Sequence, residues 1–138
     1  QHAQDTFISS TFWTERIGSA AALKTLEVMK KMKSWEYVAK MGKYLKQLWI
    51  NLAKSYDLSI SIYGINPLIS FKFNSIYYLE YKTFITQEML KYGFLATTTC
   101  YLSMAHNKSI IDEYAYHLEK VFKTISSSYF NINNFCFY

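Results

Sequence analysis

Two long stretches in the first half of the chain carry apolar residues at helical spacing. The first predicts a helix over residues 14–33, in which residues 18–22 are small on every face and the later turns are amphipathic. Lysines cluster at its C-terminal end, where the helix dipole favours positive charge. The second stretch predicts a helix over residues 35–56, because apolar side chains recur there at steps of three and four: Val38, Met41, Leu45, Leu48 and Leu52.

The period of the pattern then changes from about 3.6 residues to two. Residues 58–62 and 69–73 each alternate between apolar and polar side chains, as half-buried strands do. Gly64 and Pro67, the only proline, lie in the segment between them and favour a turn. The two runs therefore predict an antiparallel hairpin.

The second half of the chain predicts one more strand between two helices. Residues 74–82 are expected to form a surface connection, followed by a short helix over residues 83–91 that Thr83 caps and Gly93 ends. Residues 94–104 are rich in threonine and predict a third strand, and residues 108–126 carry the apolar face of a last helix. No structure is assigned to the tail, residues 127–138, beyond one short strand or a frayed end.

These elements follow one another in the order α-α-β-β-α-β-α. The fold class is therefore α+β, with a three-stranded, mainly antiparallel sheet covered by helices. A chain of 138 residues is long enough for one ordinary domain, and no linker or repeat divides it. The sequence predicts a single domain over residues 1–138.

Composition adds the expectation of a partner surface. Apolar residues make up 51% of the chain and charged residues 18%, which excludes a disordered protein. Aromatic residues reach 19%, and such a chain usually buries some of them against a neighbour. Together with the small-residue half of the first helix, this predicts a neighbouring domain or subunit.

The charge pattern favours a solvated helix face over a nucleic-acid surface. The net charge is +5, but only one of the fifteen basic residues is an arginine, the residue preferred for contacts with phosphates and bases. Neither a basic and apolar signal segment nor an apolar run of about eighteen residues is found in the sequence. Cys100 and Cys136 have no metal-like spacing and indicate no oxidising compartment. A cytoplasmic protein without membrane or nucleic-acid partners is expected.

No complete catalytic set can be assembled from the residues themselves. His2, His106 and His117 lack the spacing of metal ligands, and His106 lies at a strand-to-helix turn where a structural hydrogen bond is expected. Asp112 and Glu113 are read as first-turn residues that stabilise a helix dipole. No lysine stands in a setting that marks a Schiff base, which needs burial or a cationic neighbour.

The strongest candidate for a ligand-binding site in the sequence is the stretch of residues 9–23. Four hydroxyl side chains, Ser9, Ser10, Thr11 and Thr14, lie among aromatics directly before the first helix. Hydroxyl and backbone N–H donors at a helix start suit an oxyanion such as phosphate. Glu15 argues against an anion there, because a carboxylate in the first turn already complements the dipole. By pattern alone, helix capping is the commoner role for such residues.

Three blocks of sequence resemble the C-terminal part of class-III, pyridoxal-phosphate-dependent aminotransferases. They are residues 7–23, residues 86–96, and residues 101–106 continued by residues 111–114 and 121–122. The nearer branch is similar to glutamate-1-semialdehyde aminomutase, and the resemblance extends over about residues 5–126. It implies the small C-terminal domain of a fold-type-I enzyme that works as a homodimer on small-molecule amino donors and acceptors.

In that family, a threonine in a turn before a helix reaches the phosphate of pyridoxal 5'-phosphate (PLP) across the dimer. The matching residue here is Thr11, with Ser10 beside it where the family often has glycine, and Ser9 is a weaker candidate. Many relatives have Ser-Gly-Asn-Pro where this chain has residues 13–16, Trp-Thr-Glu-Arg, which leaves the substrate open. No role follows for Trp13, Glu15 or Arg16.

The resemblance also implies what this chain lacks. The family's Schiff-base lysine and the aspartate on the pyridine nitrogen lie well upstream of the phosphate-binding threonine, and only ten residues precede Thr11. The chain opens as though cut from a longer one, and we expect it to be inactive alone, with no catalytic residue and no metal site. Two alternatives stay open: a non-catalytic interaction module that keeps the fold and, more weakly, a basic nucleic-acid-binding domain.

Overall fold

The computed structural model of the protein describes residues 16–128. The chain divides into two compact units, Gln1–Ser34 and Trp35–Tyr138. Its elements are α1 (Arg16–Met32), α2 (Ser34–Ser55), β1 (Ile60–Ile65), β2 (Leu68–Phe73), α3 (Tyr78–Lys91), β3 (Thr99–Tyr101) and α4 (Lys108–Ser128). This is the predicted order, and it confirms the α+β class.

The sheet of the second unit has the strand order β1-β2-β3, with both pairings antiparallel. Ile60 lies opposite Phe73, and Ile65 lies opposite Leu68, so the hairpin is complete to its last residue. β1 continues through Gly64 rather than ending at residue 62, which shortens the predicted connection to a tight turn at Asn66 and Pro67. A φ of 85° at Gly64 permits this, because glycine carries no Cβ.

The core lies between one face of the sheet and the three helices α2, α3 and α4. Phe71 on β2 meets Trp49 of α2 edge-on, with ring centroids 4.7 Å apart, and contacts Phe122 of α4 at 5.9 Å. Phe73 on the same strand meets Tyr81 of α3 at 5.3 Å. Alternation along β2 therefore points its aromatic side chains at all three helices, as a half-buried strand should.

α2 approaches the hairpin turn more closely than a side chain would allow. A Cβ on Gly42 would lie 1.8 Å from the backbone oxygen of Asn66. Met41 and Leu45, two of the apolar positions predicted to face the core, are buried, and Trp49 is fully buried. Glycine at position 42 thus sets the distance between the helix and the turn.

The predicted start of the third helix was wrong. α3 begins at Tyr78 rather than residue 83, and Thr83 lies inside it, donating to the backbone oxygen of Leu79 at 3.0 Å instead of capping. Three buried side chains at steps of four residues fix the helix: Tyr81, Ile85 and Met89. The end was correct, because Gly93 takes a φ of 82° and lets the N–H of Phe94 reach the oxygen of Met89 at 3.0 Å.

The third strand is also shorter than predicted, with three residues instead of eleven. The N–H of Phe94 bonds to Met89 at the end of α3 and that of Ala96 bonds to Phe94, so neither N–H takes part in the ladder. The last helix begins where expected, at Lys108, and Asn107 caps it by accepting the N–H of Ile110 at 3.0 Å. Asp112 and Glu113 are therefore not first-turn residues, contrary to the prediction.

Candidate functional site

The two predicted phosphate-binding residues, Ser10 and Thr11, lie outside the described residues. So do Ser9 and residues 13–15, and so does the tail after residue 128. The described chain begins at Arg16, in the first turn of α1. The phosphate contact of Thr11 and Ser10 therefore stays a prediction.

The helix that follows this stretch has an unusual surface. α1 contains no buried residue, although it carries apolar side chains that are largely exposed: Ile17, Leu23, Leu26 and Met32. The small residues 18–22 are exposed as well. Because water around a continuous apolar helix face is unfavourable, such a face is typical of a surface that contacts another part of an assembly.

Every lysine of the chain lies in the described part, and each is exposed. The ammonium of Lys72 lies 3.8 Å from the ring centre of Tyr78, and that of Lys120 lies 4.3 Å from the ring centre of Tyr116. A lysine that forms a Schiff base with PLP needs burial or a cationic neighbour to lose its proton at neutral pH. None of these lysines is buried, so burial does not prepare any of them for that role.

His106 makes the structural hydrogen bonds predicted for it. Its Nδ1 accepts the backbone N–H of Ser103 at 3.0 Å, and its backbone oxygen lies 3.4 Å from the hydroxyl of Tyr37. His117 stacks on Tyr92 with ring centroids 4.2 Å apart. Within residues 16–128, no three His, Cys, Asp or Glu side chains are grouped so that they could hold a metal ion.

A pocket of about 130 Å³ lies where α2, the segment 94–97, β3 and the start of α4 meet. Its apolar wall includes Leu45, Phe94 and Ile111. Its polar side chains come from five residues: Thr97, Thr99, Cys100, His106 and Tyr114. Sequence analysis missed this pocket because its residues come from four segments and form no motif with a fixed spacing.

Two ionisable groups of the pocket, the Tyr114 phenol and the Cys100 thiol, are held in their neutral forms. Burial raises the pKa of the Tyr114 phenol, whose oxygen accepts the Nε1–H of Trp49 at 3.2 Å. Burial also raises the pKa of the Cys100 thiol. Since the thiolate is the nucleophilic form of cysteine, a half-buried thiol with a raised pKa is poorly suited to covalent catalysis. Cys100 is therefore not placed as a nucleophile.

A second groove, of about 270 Å³, runs between α2 and α4 and contains two carboxylates, Asp112 and Glu119. Both are engaged by tyrosines of α2. Tyr44 donates to Asp112, and Tyr56 donates to Glu119 at 3.0 Å. These hydrogen bonds raise the pKa of each tyrosine, because a phenolate beside a carboxylate is unfavourable. The carboxylates serve to join two helices and are not arranged as an acid–base pair.

Comparison with known proteins gives a fold but no family. No protein-family model and no curated protein matches the chain. Among solved structures, the chain is similar to the FumI protein of Sphingopyxis sp. MTA144 in its PLP internal aldimine form, with a TM-score of 0.78 and 19% sequence identity. The match covers 94% of this chain and 32% of that one, so this chain spans about a third of that protein's length.

The likeness shows that this chain has the fold of one part of a PLP-containing protein. It agrees with the fold implied by the three sequence blocks. Within residues 16–128, no helix is long and apolar enough to cross a membrane.

Proposed function

We propose that this chain is the C-terminal portion of a PLP-dependent aminotransferase or aminomutase of class III. The observation that carries the proposal is the structural similarity, over 94% of the chain, to a third of a protein solved as its PLP internal aldimine. The motifs in residues 7–23, 86–96 and 101–106 support the finer assignment. The whole enzyme would move an amino group on an amino acid or an amino-sugar-like substrate, in the cytoplasm.

In the proposed enzyme this chain contributes binding rather than bond breaking. PLP supplies the electron sink for amino-group chemistry when it is bound. Thr11, with Ser10 beside it, would donate hydrogen bonds to the cofactor phosphate of the other subunit, aided by the positive end of the first helix's dipole. The lysine and the aspartate that the reaction needs would come from residues outside this chain.

The exposed apolar face of α1 supports the proposal that this chain works together with residues outside it. Leu23 is 70% exposed and Leu26 is 62% exposed, in a helix without any buried residue. An enzyme of this fold has a larger cofactor domain and a second subunit, and either would cover such a face.

The first test adds PLP to the 138-residue chain, reduces the mixture with borohydride, and locates any pyridoxyl-lysine by peptide mass. Because every lysine is exposed and none is buried, we expect only partial labelling spread over several lysines, with no single lysine modified in full. A single lysine modified in full would contradict the assignment of binding without covalent attachment.

The second test expresses the chain together with the coding sequence immediately upstream of Gln1. We expect a lysine-bearing turn in that sequence and an aldimine band in the product. Thr11→Ala should weaken PLP binding about tenfold or more, since a hydrogen bond to a charged group contributes about 1.5–3 kcal/mol. Thr83→Ala, an exposed threonine of α3 outside this stretch, is the matched control and should leave PLP affinity unchanged. An upstream sequence without such a lysine would instead support a non-catalytic module.

A further inference from the structure

The two edges of the sheet differ in how they are protected from pairing with a further strand. The edge formed by β3 is only three residues long. The edge formed by β1 has six residues, with no charge and no proline, and its unbroken register with β2 leaves no bulge that would turn the edge away. Proteins protect strand edges by shortness, charge, proline, bulges or a cover, so β1 is an edge that needs a cover.

The exposed end of this strand is also apolar. Tyr63 is 51% exposed and Ile65 is 69% exposed. Both lie on the face of the sheet away from the core, because they alternate with Ile62, which lies opposite the buried Phe71. Within residues 16–128, β2 is the only strand that pairs with β1. A strand added beside β1 would pair its backbone edge and cover part of these side chains.

The last helix brings the chain to the start of β1. Ile125 is fully buried, and the hydroxyl of Ser126 donates to the backbone oxygen of Tyr56 at 2.8 Å. Tyr56 follows the end of α2 and lies four residues before β1 begins at Ile60. The chain therefore leaves Ser128, the last described residue, close to the entry of β1.

The direction of α4 matches that of α2. Hydrogen-bonded pairs advance together along both helices: Tyr44 with Asp112, Trp49 with Tyr114, and Tyr56 with Glu119. After its last residue, Ser55, α2 turns back into β1 within four residues. A chain that turns back onto the sheet from the end of α4 in the same way would run parallel to β1. Parallel neighbours need a long crossover connection, which the segment from β2 to α4 supplies.

The sequence of residues 129–138 suits a strand at this edge. None of these ten residues is charged and none is proline. Six of the ten are aromatic or β-branched, as strands prefer: Tyr129, Phe130, Ile132, Phe135, Phe137 and Tyr138. Ten extended residues reach about 33 Å, whereas six residues of strand span about 20 Å. The segment is therefore long enough to make a turn and still cover β1.

We propose that residues 129–138 dock on β1 as a fourth strand, parallel to it, and close the uncharged edge of the sheet. Backbone hydrogen bonds to the open edge of β1 hold the added strand, as in other cases of strand addition. Because α4 tethers the segment close to the entry of β1, its effective concentration there exceeds that of a second copy of the chain. The proposal uses only the second unit and does not depend on the function proposed above.

The first test compares amide hydrogen exchange in the 138-residue chain and in a chain that ends at Ser128. Alternate N–H groups of β1 point away from β2, and truncation should lower their protection about tenfold or more, because they lose their hydrogen-bond acceptors. The N–H groups of β1 that bond to β2 serve as internal standards and should keep their protection. Unchanged protection along the open edge of β1 would overturn the proposal.

A substitution in the full chain repeats this test without truncation. The double variant Ile132→Pro and Asn133→Pro removes two successive backbone N–H groups, one of which faces β1 in either register. It should lower protection on the same side of β1 as truncation does. The matched control, Ile132→Val with Asn133→Thr, keeps both N–H groups and should keep the protection. Equal protection in the two double variants would contradict the docking of this segment.

The second test measures the direction of the added strand and identifies the chain that supplies it. A spin label is placed on Cys136 in a ¹⁵N-labelled chain that carries Cys100→Ala, so that only one thiol reacts. Because a parallel strand starts near Ile60, the label should broaden the amide signals of residues 63–65 more than that of Ile60. Stronger broadening at Ile60, or none in β1, would overturn the proposal.

A mixture of two chains separates the segment's own β1 from that of a second copy. Spin-labelled chains without ¹⁵N are mixed with ¹⁵N-labelled chains without a spin label. We expect no broadening of β1 in the mixture, since each chain covers its own edge. Broadening there would show that a second copy of the chain supplies the strand, and it would overturn the proposal.

Discussion

α1 and α2 follow each other in the chain and look alike as sequences, but they differ completely in burial. α1 has 17 residues and α2 has 22, and both end in lysine-containing turns. α2 buries five residues, Met41, Gly42, Leu45, Trp49 and Ala53, whereas α1 buries none. Amphipathic spacing therefore identifies a helix and its apolar face, but it does not tell which surface covers that face.

The difference has an energetic consequence. Most helical stability in proteins comes from packing of the apolar face rather than from intrinsic propensity. α2 has this contribution from the sheet and from α4, for example through the 4.7 Å contact of Trp49 with Phe71. α1 has no buried residue, so substitutions on the two helices should affect the free energy of unfolding very differently.

The largest effect is expected from the same substitution made once on each helix. Leu45 on α2 is 2% exposed, and Leu26 on α1 is 62% exposed. Leu45→Ala should lower the free energy of unfolding by about 2–5 kcal/mol, the usual cost of truncating a core leucine. Leu26→Ala should change it by less than about 0.5 kcal/mol, as surface substitutions do. Urea denaturation measures both, and similar costs for the two would remove the contrast between the helices.

The next largest effect concerns the closeness of α2 to the hairpin. Gly42→Ala places a Cβ against the backbone oxygen of Asn66 and should cost about 1–3 kcal/mol, despite the better helix propensity of alanine. Gly93→Ala is the comparison, because no atom lies within 4 Å of its Cβ and only its φ of 82° is unfavourable. We expect about 1 kcal/mol there. If Gly42→Ala leaves the midpoint of thermal unfolding unchanged, α2 does not approach the hairpin turn closely enough to exclude a side chain.

A smaller effect is expected on the pH dependence of the free energy of unfolding, through Tyr114 at the contact between α2 and α4. Burial raises the folded-state pKa of Tyr114 above its unfolded value of about 10, so this tyrosine contributes stability that is complete below about pH 10 and declines as pH rises further. Tyr114→Phe should flatten that alkaline decline. At pH 7 it should cost about 1 kcal/mol, because Trp49 loses its hydrogen-bond acceptor.

The matched control for Tyr114→Phe is Tyr116→Phe. Tyr116 lies two residues further along α4, and its side chain is 58% exposed. It should leave the alkaline slope of the urea midpoint between pH 8 and 11 unchanged. If the two variants have the same slope, burial of Tyr114 does not contribute to the alkaline loss of stability.

The smallest effect is expected on α1 itself. Lys24 and Glu27 form an exposed ion pair at 3.0 Å, three residues apart. Glu27→Gln should change stability by no more than a few tenths of a kcal/mol, because exposed pairs are screened by solvent. A loss above about 1 kcal/mol, measured by urea denaturation at low salt, would mean that α1 carries more of the fold than its burial indicates.

The two ends of α3 show how far local sequence signals predict the structure of this protein. The end of α3 was predictable, because Gly93 is the residue type that the left-handed position requires. Its start was not, because residues 74–82 were read as a connection, although Tyr81 begins the buried row continued by Ile85 and Met89. Aromatic residues suit a strand, a loop or a helix, and only their contact with Phe73 decides among them.

The candidate sites divide in the same way. Thr11 and Ser10 could be named as candidates from sequence because they match neighbouring positions of a motif in the family that the chain resembles. The pocket around Thr97 could not, since its lining joins residues from Leu45 to Tyr114. When the residues of a site come from distant segments, they form no motif of fixed spacing that could be recognised in the sequence.

By itself the sequence determined the order of the elements, the antiparallel hairpin, the C-terminal end of α3 and the start of α4. Each depends on local chemistry: the period of apolar side chains, a cap, or a glycine where φ must be positive. Only the tertiary structure decided which apolar faces are covered, how closely α2 approaches the hairpin, and which polar groups share a pocket. Those properties depend on residues far apart in the chain, and packing alone brings such residues together.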